Sequence, residues 1–104
     1  KWYRKAAEQG DAKAQNNLGV KYGNGLGVLK DYKEAVKWYR KAAEQSNPDA
    51  QGNLGVMYGD GDGILKDLSK AKYWIKKAYD NPDAKTRVVE NAEKNWNRLE
   101  LWKY

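Results

Sequence analysis

The nine residues KWYRKAAEQ occupy positions 1–9 of this chain and return unchanged at positions 37–45. Laid over one another without a gap, residues 1–36 and 37–72 are identical at 23 of 36 positions, including Ala14/Ala50, Leu18/Leu54, Gly19/Gly55, Tyr22/Tyr58 and Asp31/Asp67. A third copy opens on schedule with YWIKKAY at 73–79, keeps Trp74, Lys77 and Ala78, and then departs from the pattern. A unit of this length holds two helices and cannot bury its own apolar face, so successive units must stack. The repeat therefore confines the chain to an array, and most of its identical letters are explained by the needs of stacking. The chain opens on Lys1 in mid-motif, which reads as a first repeat lacking its leading helix.

Within each unit the apolar period is helical. In DAKAQNNLGVKYGNG, Ala14, Leu18 and Tyr22 recur at i, i+4 and i+8, giving one stripe of a helix A. Asp11 is placed to cap it; in the second copy Asn47-Pro48 supplies a cap and a first-turn proline. Gly23 and Gly25 end it, since glycine enters the left-handed region without penalty. Helix B runs from about Asp31, its cap, to Gln45, with Ala35, Trp38, Tyr39, Ala42 and Ala43 on one face. Beyond Asn81-Pro82-Asp83, the residues Val89, Ala92, Trp96 and Leu99 follow at helical spacing, backed by Lys85, Arg87, Glu90, Glu93, Lys94, Arg98 and Glu100. The expected fold is all-α: an α/α solenoid of stacked antiparallel helix pairs over residues 1–82, closed by a C-terminal capping helix over residues 83–104. The same charged amphipathic helix would also suit a partner.

Composition removes several classes of chemistry. The chain has no Cys and no His, so thiolate nucleophiles, zinc knuckles and imidazole bases are all missing. It has no Phe, and builds its core from five Trp and eight Tyr set among Ala and Gly. The net charge of +6 divides as +3, +1 and +2 over residues 1–36, 37–72 and 73–104. An excess spread this evenly favours an acidic partner mildly and is unlike a nucleic-acid tail. The longest apolar runs are too short to span a membrane.

The combined pattern A-x-x-x-L-G-x-x-Y-G-x-G-x-G-[VI]-x-K-D followed by A-x-x-W-Y-x-K-A-A-x-Q resembles the Sel-1-like repeat, an α/α solenoid family related to tetratricopeptide repeats. The resemblance covers residues 1–79. Departures are Ser46 where the family favours Gly, Asp62 inside the second loop, and Tyr79 in place of the second Ala of the third helix B. It implies a scaffold or adaptor that binds other proteins; a soluble bacterial protein, without cofactor and without catalysis, is expected. The compartment stays open.

Three motifs mimic chemistry. GNGLG at 23–27 resembles a phosphate loop but lacks a lysine-serine end, follows a helix, and recurs as GDGDG at 59–63, so helix end plus turn explains it. Asp60 and Asp62 suggest a calcium loop, but Ile64 and Ala71 stand where further ligands are needed, so no metal is expected. KWYRK could stack and neutralise a single-stranded nucleic acid, yet Trp38 and Tyr39 belong to the inward stripe. No carboxylate pair stands apart as an acid/base couple.

The resemblance places binding on the concave surface lined by helix A. On a helical wheel centred on Leu18, the side away from Ala14 and Tyr22 carries Lys13, Asn16, Asn17, Val20 and Asn24. The second copy offers Asp49, Gly52, Asn53, Val56 and Asp60. Val20 and Val56 either pack a partner's apolar side chain or pad contacts between repeats. Asn17 and Asn53 can hydrogen-bond a partner's backbone. The expected partner-binding residues are Lys13, Asn16, Asn17, Val20, Asn24, Asp49, Asn53, Val56 and Asp60. The alternative is a nucleic-acid interface on the basic helix-B surface, recognisable by a steep salt dependence.

Overall fold

The computed structural model describes the backbone of residues 2–104 and the side chains of residues 4–104. Lys1 and the rings of Trp2 and Tyr3, part of the first copy of KWYRKAAEQ, lie outside the described residues. Among the described residues six helices follow in order: α1 (Trp2–Glu8), α2 (Ala12–Asn24), α3 (Tyr32–Glu44), α4 (Pro48–Asp60), α5 (Leu68–Asp80) and α6 (Thr86–Arg98), then a short 3-10 turn (Leu101–Lys103). The architecture is an α/α solenoid in which α2 pairs with α3 and α4 with α5, and α4 lies against α3. Its extents are 42 × 28 × 19 Å.

The starts of α2, α3, α4 and α5 are set by side-chain oxygens that take up amide protons the helices leave unpaired. Asp11 accepts from the Ala14 amide at 2.9 Å, Asp31 from Glu34 at 3.1 Å, Asn47 from Ala50 at 2.9 Å and Asp67 from Lys70 at 3.0 Å. The inner helices α2 and α4 end on Gly25 and Gly61, at φ 67° and 69°. The turn after α3 places Ser46 in the same left-handed region, φ 68°, where Gly10 sits one repeat earlier.

Helix A and helix B approach closely because glycine faces a large side chain. A Cβ on Gly19 would fall 2.6 Å from the Tyr39 ring, and one on Gly55 would fall 2.5 Å from Ile75 and 3.2 Å from the Ala71 carbonyl oxygen. The rings expected to face inward do so: Trp38 and Tyr39 are buried with Ala35, Ala42, Ala43, Leu54 and Ile75. Repeats are tied by amides that the wheel did not assign. Gln45 donates to the Gly10 carbonyl and to Gln15, both at 2.9 Å; 36 residues on, Asn81 donates to the Ser46 carbonyl at 2.8 Å and to Gln51 at 3.0 Å.

The C-terminal helix begins later than expected. Asn81 accepts from the Asp83 amide at 2.8 Å, and the Ala84 amide donates to the Asn81 carbonyl at 3.0 Å. This turn consumes Pro82 and Asp83 before α6 starts at Thr86. The delay rotates the apolar stripe, so Val88 rather than Val89 is buried with Ala92, while Trp96 and Leu99 are half-buried. α6 packs on α5 and α4.

Candidate functional site

A groove of about 480 Å³ runs across the inner helices, with walls from α2, α4 and α6. Seven of the nine residues expected to bind a partner line it: Lys13, Asn16, Asn17 and Val20 from α2, and Asp49, Asn53 and Val56 from α4. Asn24 and Asp60 do not. Asn24 is exposed on the last turn of α2, and Asp60 is taken by Arg98 of α6, which donates to both carboxylate oxygens at 2.8 and 3.3 Å.

The third wall went unseen in the sequence. Asp49 accepts from Arg87 and Asp60 from Arg98, each across 38 positions instead of 36, because the Asn81 turn adds two residues. With that offset α6 is the structural counterpart of α2 and α4, and Asn91 follows Asn17 and Asn53 as the next member of one row. A two-residue gap in the alignment of the third copy is the signal that would have revealed it.

Local bonding divides the lining into used and free groups. Asn53 donates to Asn16 at 3.1 Å, joining α2 to α4, and Asn16 is buried beneath that bond. Asn95 donates to the Asn91 carbonyl at 3.0 Å and accepts from Arg98 at 3.1 Å. Arg87 meets Asp49 at 2.8 Å, which neutralises the one carboxylate of the lining. Lys13 and Lys85 form no ion pair among the described residues, so the groove is a weakly cationic trough with amide donors and acceptors along its length. Val20 and Val56 are half-buried in it.

Reactive chemistry has little to work with. Among the described residues no three His, Cys, Asp or Glu side chains converge as a metal site. Burial pushes the Tyr39 hydroxyl up to about 12, but this ring is in the core against Gly19 and away from the groove. Among the described residues no helix is long and apolar enough to cross a membrane.

The Sel1 repeat family model matches residues 1–11, 12–47 and 48–83. The chain belongs to the Sel1 repeat family. A Sel1 repeat protein from Oxalobacter formigenes is similar at 42% identity over 93% of this chain and 39% of that one, with a TM-score of 0.78. A protective antigen of uropathogenic Escherichia coli strains, which displays the Sel1-like repeat fold, is similar at 49% identity over 74% of this chain, with a TM-score of 0.73. This Sel1 repeat chain spans 16% of the antigen's length. No curated protein matches it significantly. Sel1 repeat proteins are generally protein-interaction scaffolds and typically non-catalytic.

Proposed function

We propose that this chain is an interaction scaffold that holds an extended peptide, or an extended edge of a protein, in the groove between α2, α4 and α6. The observation that carries the reading is the row Asn17, Asn53 and Asn91, one amide per inner helix along the groove. An extended backbone presents alternating carbonyls and amides, and side-chain amides can meet both. Val20 and Val56 supply apolar contact beside the row, and Lys13 and Lys85 favour a partner with acidic side chains. Because the wall is preformed by stacking, binding spends little on ordering the scaffold.

A pull-down compares wild type with the triple variant Asn17→Ala/Val20→Asp/Asn53→Ala, after circular dichroism shows equal melting. A protein retained by wild type, and bound at least about tenfold more weakly by the variant in a direct titration, supports the reading. Recovery of nucleic acid by both baits, released by moderate salt, would replace it with the helix-B surface.

A further inference from the structure

The internal repeat offers the α3–α4 seam as a control for the α5–α6 seam, and the two differ. Between α3 and α4 the seam is closed: Tyr39, Ala43, Leu54 and Tyr58 are buried, and Arg40 donates to the Tyr58 hydroxyl at 2.8 Å. Its outer side is covered by α5, whose Ile75 sits where a Cβ on Gly55 would be. One repeat later the equivalent positions between α5 and α6 carry Ile75, Tyr79, Ala92 and Trp96. Ile replaces Tyr and Ala replaces Leu, so side-chain volume is lost from the middle of the seam. Lys76, in the place of Arg40, turns to Asp80 at 2.7 Å instead of reaching across. A cleft of about 360 Å³ opens there. Tyr79 is 46% exposed on its rim, where its counterpart Ala43 is 2% exposed.

The 3-10 turn closes only one end of this seam. The turn touches both α5 and α6 and buries Leu101, which does not line the cleft. The rim carries Glu93 and Asn97 at the positions equivalent to Gly55 and Gly59. A helix docking here therefore stands further out than α5 does on α4, and must reach the Ile75–Ala92 floor with a long aromatic side chain. Asp80 at the rim is met by Lys76 and Lys72 lies over the Trp96 ring, while Glu93 has no ion pair among the described residues. A base next to the aromatic anchor would meet it.

We propose that the α5–α6 cleft is a second docking site, sharing only its Ile75–Ala92 floor with the inner groove, and that its occupant is an amphipathic partner helix with an aromatic anchor followed by Lys or Arg. Helix B of this chain has that pattern in Trp38-Tyr39-Arg40-Lys41, and one repeat earlier a helix B, α5, packs on α4 beside the equivalent seam. The mode is a helix laid in a groove, with one buried anchor and a charged rim. A cleft of this size with one anchor supports a reversible contact, with Kd on the order of 10–100 µM.

The test uses a peptide of residues 31–45, constrained as a helix by a link between positions 33 and 37, which face solvent in α3. Titrated into the whole chain, it is expected to shift the NMR signals of Tyr79, Glu93 and the Trp96 indole, none of which lines the inner groove. Glu93→Lys should weaken binding about tenfold, and Tyr79→Glu should do the same. Both residues are exposed, so the variants retain the fold. A control peptide with Tyr39→Ala and Arg40→Glu should leave the spectrum unchanged. Absence of shifts at millimolar peptide overturns the proposal, as does binding that is indifferent to both variants. Shifts confined to Asn17, Asn53 and Asn91 also overturn it, and would assign the helix to the inner groove.

Discussion

Arg98 on α6 grips Asp60 on α4 through two hydrogen bonds, 2.8 and 3.3 Å long, and eleven positions earlier on both helices Arg87 donates to Asp49 at 2.8 Å. The two pairs strap α6 to α4 at both ends and hold the third wall of the groove in register with the other two. Both lie at the surface, where ion pairs are worth about 0–1 kcal/mol each.

A double-mutant cycle on Arg98→Ala and Asp60→Ala is therefore expected to return a coupling of about 0.5–1 kcal/mol at low salt. It should shrink at 0.5 M salt, where the screening length falls to about 4 Å. The sharper effect is local. Arg87→Ala/Arg98→Ala should speed amide exchange in α6 while leaving α2 and α3 unchanged, because only the strap is cut. Equal acceleration throughout the chain would show that α6 unfolds only with the whole array.

How much of this was legible in the sequence depends on the range of the forces involved. The caps at Asp11, Asp31, Asn47 and Asp67 were readable because each hydrogen bond closes within three residues. The α2 and α4 walls were readable because both copies share one register. The α6 wall was not, because the turn made by Asn81 adds two residues, and turns Val88 inward in place of Val89. Gln15 and Gln51 were passed over as polar letters in a helix. They are buried, since Gln15 donates to the Ala7 carbonyl at 3.0 Å and Gln51 to Ala43 at 3.4 Å, satisfying helix ends of the preceding unit. Partners of that kind leave no helical period, only the recurrence of Gln15 as Gln51 one repeat on.

Gly55→Ala should be among the costlier single-methyl changes. Its Cβ would sit 2.5 Å from Ile75 and 3.2 Å from the Ala71 carbonyl, and that backbone oxygen cannot rotate away. A loss of about 1–3 kcal/mol is expected from overpacking. Gly19→Ala meets the Tyr39 side chain first, not backbone, and should cost less. Thermal melts of the two variants decide the order, and a Gly19 variant less stable than the Gly55 variant would contradict it.

Ser46→Gly should stabilise. Ser46 holds φ at 68°, a region that costs side-chain-bearing residues about 1–2 kcal/mol and glycine almost nothing. Part of the gain is lost to the greater freedom of glycine in the unfolded chain, leaving about 0.5–1 kcal/mol. For a chain of this size that is a rise in Tm of roughly 2–8 °C. The Ser46 carbonyl still accepts from Asn81, so the contact between repeats survives the change.

Alkaline unfolding should report on Tyr39. Its hydroxyl ionises at about 12 in the folded chain, raised from 10.0 because burial penalises the phenolate. The unfolded state releases this proton first as pH rises, so it holds fewer protons than the folded state between those values. Stability from this group is thus complete below pH 10 and is lost progressively toward pH 12. Tyr39→Phe keeps the ring against Gly19 and removes the ionisation. Urea titrations at pH 8, 10 and 11.5 should show the wild type losing more stability than Tyr39→Phe, with the two curves parallel below pH 9. Parallel curves over the whole range would mean that Tyr39 contributes nothing to the fall.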